Sequence, residues 1–141
     1  METLNYAVLK KTGYTGYLLE QAPEKVLQFG EGNFLRAFTD YWFDLANEKA
    51  GWNGKCVLVK PRGSHGRESQ IELLNRQQGL YTLYLRGNVA GEKIDCKRVI
   101  SVVSRCLNPT DSPEDFQALM ALAESDDLEY VVSNTLSLIH I

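Results

Sequence analysis

The tightest constraint on the fold is a glycine pair, Gly30-Glu31-Gly32, set between a short apolar run at 25–29 and an amphipathic run that starts at Phe34. An apolar stretch of that length stopped by glycines predicts a buried parallel strand ending in a tight turn, and the three-to-four spacing beyond it predicts a helix. In this setting Gly30 permits the turn and Gly32 lets the backbone approach a pyrophosphate, while the free amides of the helix start hold negative charge. The third glycine of the dinucleotide fingerprint is missing, because Leu35 stands at its position. On spacing alone, a dinucleotide-binding turn and a ligand-free strand–helix turn both stay open.

The rest of the pattern extends that unit. Phe34, Phe38, Trp42 and Leu45 recur three or four apart, with Leu35 widening the stripe and Gly51 as a stop. This predicts one helix from Phe34 to about Lys49 with the aromatic stripe buried. Residues 55–61 predict a second buried strand closed by Pro61, and strand, helix and strand together predict a parallel crossover. A polar stretch at 62–79 holds a glycine-flanked loop at 63–66 and a short helix at about 69–76. Runs at 81–86 and 94–103 flank a glycine-bearing turn, which predicts an antiparallel hairpin and a mixed sheet. Ser112 before Pro113, Glu114 and Asp115 combines a capping hydroxyl, proline in the first turn and acids at the positive helix end. Phe116, Leu119, Met120 and Ala123 are the expected buried face of that helix, and 129–133 is a third candidate parallel strand.

The expected class is α/β, a Rossmann-like dinucleotide-binding domain with a mainly parallel sheet and an antiparallel hairpin extension, incomplete at 25–135. Residues 1–24, without sustained period, are expected to form a leader lying on its surface. A chain of 141 residues with 44% apolar content suits one domain, and a net charge of -3 gives no broad positive field. Nucleic acid and membrane are therefore not expected partners. With no cationic start before an apolar run and no long apolar stretch, the cytoplasm is the expected location. Cys56, Cys96 and Cys106 are widely spaced and odd in number, so they are expected to be reduced, buried, structural thiols. His65 and His140 are isolated, and no metal site is expected. Where an acid would hold the adenosine ribose at the end of the second strand, Lys60 and Arg62 stand instead, which leaves a 2′-phosphate possible on spacing.

The residues from Gln28 to Phe38, Gln-Phe-Gly-Glu-Gly-Asn-Phe-Leu-Arg-Ala-Phe, resemble the signature of the tagaturonate reductase branch of the long-chain mannitol dehydrogenase family. Gly79-Leu80-Tyr81-Thr82, Arg86-Gly87 and Val132-Ser133-Asn134-Thr135 extend the resemblance, which runs from about Pro23 to Thr135. It implies a metal-free enzyme that interconverts D-tagaturonate and D-altronate with NAD(H) in hexuronate catabolism. It also implies NAD despite the missing acid, and a cofactor-binding set of Gln28, Phe29, Gly30, Glu31, Gly32, Asn33, Phe34, Leu35, Arg36 and Ala37. Gly30, Gly32, Asn33, Phe34 and Arg36 lead that set, and Arg36 has a competing role as a structural cation. After Thr135 the family pattern is replaced by Leu136 to Ile141, a tail foreign to it. The helical catalytic domain of the family is expected to be absent, so no catalytic residue is assigned and neither Lys60 nor His65 is promoted. The sugar-acid substrate belongs to the full-length enzyme only. A non-catalytic NAD(H)-binding module, a related mannonate or mannitol enzyme, and a nonfunctional product with an aggregation-prone sheet edge are the alternatives.

Overall fold

The computed structural model describes residues 2–62 and 70–134. His65, His140, the loop at 63–66 and the tail at 136–141 lie outside the described residues. Four strands, β1 (Glu24–Phe29), β2 (Lys55–Val59), β5 (Val103–Leu107) and β6 (Tyr130–Ser133), form one parallel sheet in the order β5-β2-β1-β6. Numbered by their appearance in that sheet, the order is 3-2-1-4, the arrangement of a Rossmann sheet, which reverses direction between β1 and β6.

Successive side chains of a strand point to opposite faces. Val26, Cys56 and Leu58 face one core with Ile71, Leu74, Tyr81, Ile100 and Val102, while Leu27, Val57 and Val59 face another with Leu107 and Leu122. Both faces of the central strands are thus covered, which is why β1 and β2 read as nearly continuous apolar runs rather than alternating ones. The first face takes α3 (Thr39–Ala50) through Tyr41 and Phe43, and α4 (Gln70–Arg76) through Ile71 and Leu74. The second takes α5 (Pro113–Ala123), whose N-cap Ser112 accepts from the Asp115 amide at 3.2 Å.

Several expectations need correction. The antiparallel hairpin is present as expected, β3 (Tyr81–Val89) with β4 (Glu92–Ile100), but it forms a two-stranded sheet of its own, so the main sheet is not mixed: among the described residues it is parallel. The run at 94–103 is not one strand: the chain leaves β4 at Ser101 and re-enters the main sheet as β5, a parallel strand that the pattern concealed. On α5, Leu122 is buried and Ala118 and Leu119 are partly so, while Phe116, Met120 and Ala123 face out. Cys56 and Cys106 are buried free thiols held protonated by that burial, but Cys96 is exposed on the hairpin. The leader contains α1 (Tyr6–Lys11), capped by Asn5, and Leu9 packs with Leu80 and Val99 at the hairpin root.

Candidate functional site

The predicted helix after the glycine turn is two helices, α2 (Asn33–Ala37) and α3, with Phe38 at the break. The cause is a side chain intruding into the helical ladder. Tyr81 donates its hydroxyl hydrogen to the Arg36 carbonyl at 2.6 Å, the oxygen that an unbroken helix would offer to the amide of Asp40. Beyond the break the buried face is the reverse of the expected one. Phe34, Phe38 and Trp42 are 67%, 56% and 58% exposed, Phe34 stacking on Phe38 and Phe38 meeting Trp42 edge-on along the outside, while Asp40, Asp44 and Asn47 point inward.

That polar face explains itself by its partners. Asp44 accepts from Arg98 at 2.6 and 2.9 Å and from the Ser101 amide at 3.0 Å, tying α3 to the root of the hairpin. Asn47 exchanges two hydrogen bonds with the backbone of Gly54, at 2.8 and 2.9 Å, and so fixes the entry into β2. Asp40 accepts from Gln28 Nε2 at 3.2 Å, and burial pushes its carboxyl up to about 7 against the weaker pulls of Gln28 and Arg36.

Gly30 leaves the carboxyl end of β1 with φ at +132°, a conformation that side chains rarely adopt, and its amide donates to the Val59 carbonyl at 2.9 Å. A Cβ there would lie 2.6 Å from Asn134 Oδ1, just past the end of β6, and 3.0 Å from Leu35 Cδ1. Leu35 therefore fills the space that a third glycine leaves open in the usual fingerprint, and the bare Gly30 makes room for it. Gly32 is the N-cap of α2, and a Cβ on it would meet nothing within 4 Å.

The ten predicted site residues divide by direction, with Gly30 itself buried at the turn. Gly32, Asn33, Phe34 and Ala37 are exposed around the turn, and Phe29 and Glu31 are half-buried. Gln28, Leu35 and Arg36 face inward and shape it from beneath. Arg36 donates to the Glu31 carbonyl at 3.0 Å and to Asn33 Oδ1 at 2.5 Å, and its guanidinium lies 5.2 Å from the Tyr81 ring centre. Asn33, Arg36, Ala37 and Tyr81 to Leu83 line a cavity of about 170 Å³ beside the turn. Sequence reasoning missed Asp40 and placed Asn134 outside the site set. Asp40 carried no motif signal, whereas Asn134 stands directly after a strand that the pattern did identify. A larger cavity of about 340 Å³, lined by Tyr6, Glu20, Glu24, Lys55, Gln78 and Ser104, opens at the amino ends of the strands. That is the opposite side of the sheet from the switch point, where ligands of such folds bind.

A parallel sheet of order 3-2-1-4, covered on both faces, with a glycine turn at the carboxyl end of its first strand, defines a dinucleotide-binding α/β domain. Residues 24–137 match the Rossmann domain of the mannitol dehydrogenases, and the chain belongs to that family. It is 43% identical over 127 residues to an altronate oxidoreductase of Bacillus subtilis (strain 168), covering 90% of this chain and 25% of that protein. A second altronate oxidoreductase, from Bacteroides thetaiotaomicron, is 40% identical over 115 residues, or 82% of this chain and 22% of the relative. The chain thus spans about a quarter of the length of the curated relatives it matches. Among solved structures, Pseudomonas fluorescens mannitol 2-dehydrogenase in ternary complex with NAD and D-mannitol superposes with a TM-score of 0.74 at 28% identity, over 94% of this chain and 26% of that one. A substrate-free D-sorbitol dehydrogenase, at 20% identity and a TM-score of 0.71, shares the fold.

Proposed function

We propose that this chain is the NAD-binding part of an oxidoreductase that interconverts D-tagaturonate and D-altronate in hexuronate catabolism, in the cytoplasm. The observation that carries the reading is the position of Gly30, at the carboxyl end of β1 where the strand order reverses, with Asn134 of the neighbouring strand end against it. Family membership and relatives named altronate oxidoreductase support the chemistry, and a family neighbour solved with NAD supports the cofactor.

The residues fit such a group, because the turn combines a glycine whose Cβ would collide with its surroundings and a second glycine open to solvent. Gly30, Gly32, Asn33 and Phe34 would hold the cofactor. Gln28 and Arg36 keep the turn in shape through the Gly30 and Glu31 carbonyls, and Leu35 packs beneath it. NADH, when bound, supplies a hydride to a carbonyl carbon. Holding the sugar acid against it and delivering the proton need groups beyond this turn, so the 141-residue chain binds cofactor without turnover. NADH is preferred over NADPH despite Lys60 and Arg62.

The test is Gly32→Asp. Gly32 has an ordinary φ of −71° and open space around it, so the variant folds with an unchanged melting temperature while a carboxylate occupies the pyrophosphate position. NADH fluorescence enhancement should disappear in the variant, and enhancement equal to wild type places the site elsewhere. Titration with NADPH and an absorbance assay with tagaturonate test the cofactor preference and the lack of turnover.

A further inference from the structure

Beneath the glycine turn four buried oxygens face two hydrogens. Gln28 and Asp40 are both fully buried, and Gln28 Nε2 donates to the Gly30 carbonyl at 3.1 Å and to Asp40 Oδ2 at 3.2 Å. Gln28 Oε1 and Asp40 Oδ1 have no partner among the described residues. Buried polar atoms in folded proteins are nearly always paired, so two orphans on adjoining side chains call for an explanation. Turning the Gln28 amide over makes matters worse, because Oε1 would then face two other acceptors. One proton on Asp40 resolves both: a carboxylic acid and a carboxamide pair as a ring, with N–H donating to Oδ2 and O–H donating to Oε1.

We propose that Asp40 is a positioning residue that carries a proton in the cofactor-binding state, donating it to Gln28 Oε1, so that Gln28 holds the Gly30 carbonyl and the turn keeps its shape. The inference rests on the reading of that turn as the NAD(H) site. Burial of the carboxyl, its dominant influence, favours the neutral form below about pH 7. The charged groups that act on it are Arg36 from α2, which favours ionisation, and Asp44 from α3, which opposes it. Arg36 already serves the Glu31 carbonyl and Asn33. Tyr81 from β3, Cys56 from β2 and Cys106 from β5 also couple to this carboxyl, and burial holds each of them protonated. When Asp40 ionises, the hydrogen that pairs Oδ1 with Gln28 Oε1 is gone, and both buried oxygens lose their partner. Gln28 Nε2 still favours the carboxylate through Oδ2, but with its own oxygen unpaired the carboxamide is no longer held in one orientation, and the Gly30 carbonyl loses a fixed donor.

The experiment uses the 141-residue chain and the variant Asp40→Asn, whose amide supplies the same hydrogen at every pH. NADH affinity of the wild type should weaken about tenfold between about pH 6 and about pH 8, following the carboxyl proton, while that of Asp40→Asn stays level. Equal pH profiles for the two proteins overturn the proposal. Carbon-detected NMR of the Asp40 carboxyl needs no ligand: titration near 7, with the Gly30 and Gly32 amide resonances moving alongside it, supports the device. Titration near 4, or glycine amides that ignore the transition, overturns it. If the wild type binds no NADH at any pH, the proposed function fails, and the NMR titration still decides the role of Asp40.

Discussion

At Gly30 two demands meet that no other residue satisfies: a φ of +132° and a close approach by Asn134 and Leu35. Gly30→Ala should therefore lower unfolding stability by about 1–3 kcal/mol as well as weaken NADH binding, in contrast to Gly32→Asp, which affects binding alone. Parallel urea and NADH titrations of the two variants separate the effects. Asp40 has a thermodynamic signature of its own. Because its folded pKa is raised, its contribution to stability is complete below the unfolded value near 3.8 and is lost as pH rises towards about 7. Asp40→Asn has no such loss, so at about pH 8 it should be the more stable protein by roughly 2–4 kcal/mol, and a wild type that equals it there contradicts the assignment. The glycines were legible in the sequence because position on a strand–helix junction gives them meaning. Asp40 was not, since an acid on a helix ordinarily faces water and only tertiary packing turns this one inward.

The α2–α3 segment shows why an element can be found and its orientation mistaken. The ends of β1 and β2, the glycine turn and the outer ends of the helical segment follow apolar runs and glycine stops and were readable, while the break at Phe38 was not. The helix face was not. Aromatic residues at helical spacing predict a buried stripe, but here hydrogen bonds of Asp44 and Asn47 to Arg98, Ser101 and Gly54 fix the rotation of α3, and the ring stripe faces solvent. Asp44→Ala should destabilise the chain by about 3–5 kcal/mol in urea, because Arg98 and the Ser101 amide lose their partner in a buried setting. Trp42→Gln should change stability by less than about 1 kcal/mol, since the ring is already largely in water. A large loss on Trp42→Gln would mean that the stripe, and not the carboxylates, orients the helix. β5 escaped notice for a related reason: only Ser101 and Val102 separate β4 from β5, with neither glycine nor proline between them, so the change of sheet leaves little mark in composition.

Across the whole molecule the leader, the hairpin and the parallel sheet are fastened at one corner. The Leu19 amide donates to Ser101 Oγ at 2.9 Å, the Val99 amide donates to the Tyr14 hydroxyl at 3.1 Å, and Lys55, pushed down to about 8 by burial, donates to Tyr6 and to the Ser101 carbonyl. Removing residues 1–19 would uncover Leu80 and Val99 and take away the bonds from Leu19, Tyr14 and Tyr6, and it should lower the melting temperature by about 5 °C or more. An unchanged transition would show the leader to be a passive covering. The strand order has a consequence in time as well. β1 lies between β2 and β6, and Val26 pairs in register with Tyr130, almost the full described length away along the chain. A ribosome adding about 5–20 residues per second delivers that partner roughly 5–20 seconds after β1 has emerged. Until then the strand that ends in the glycine turn keeps an open edge on the side where Asn134 comes to lie, so the turn is completed only by a strand made long after it.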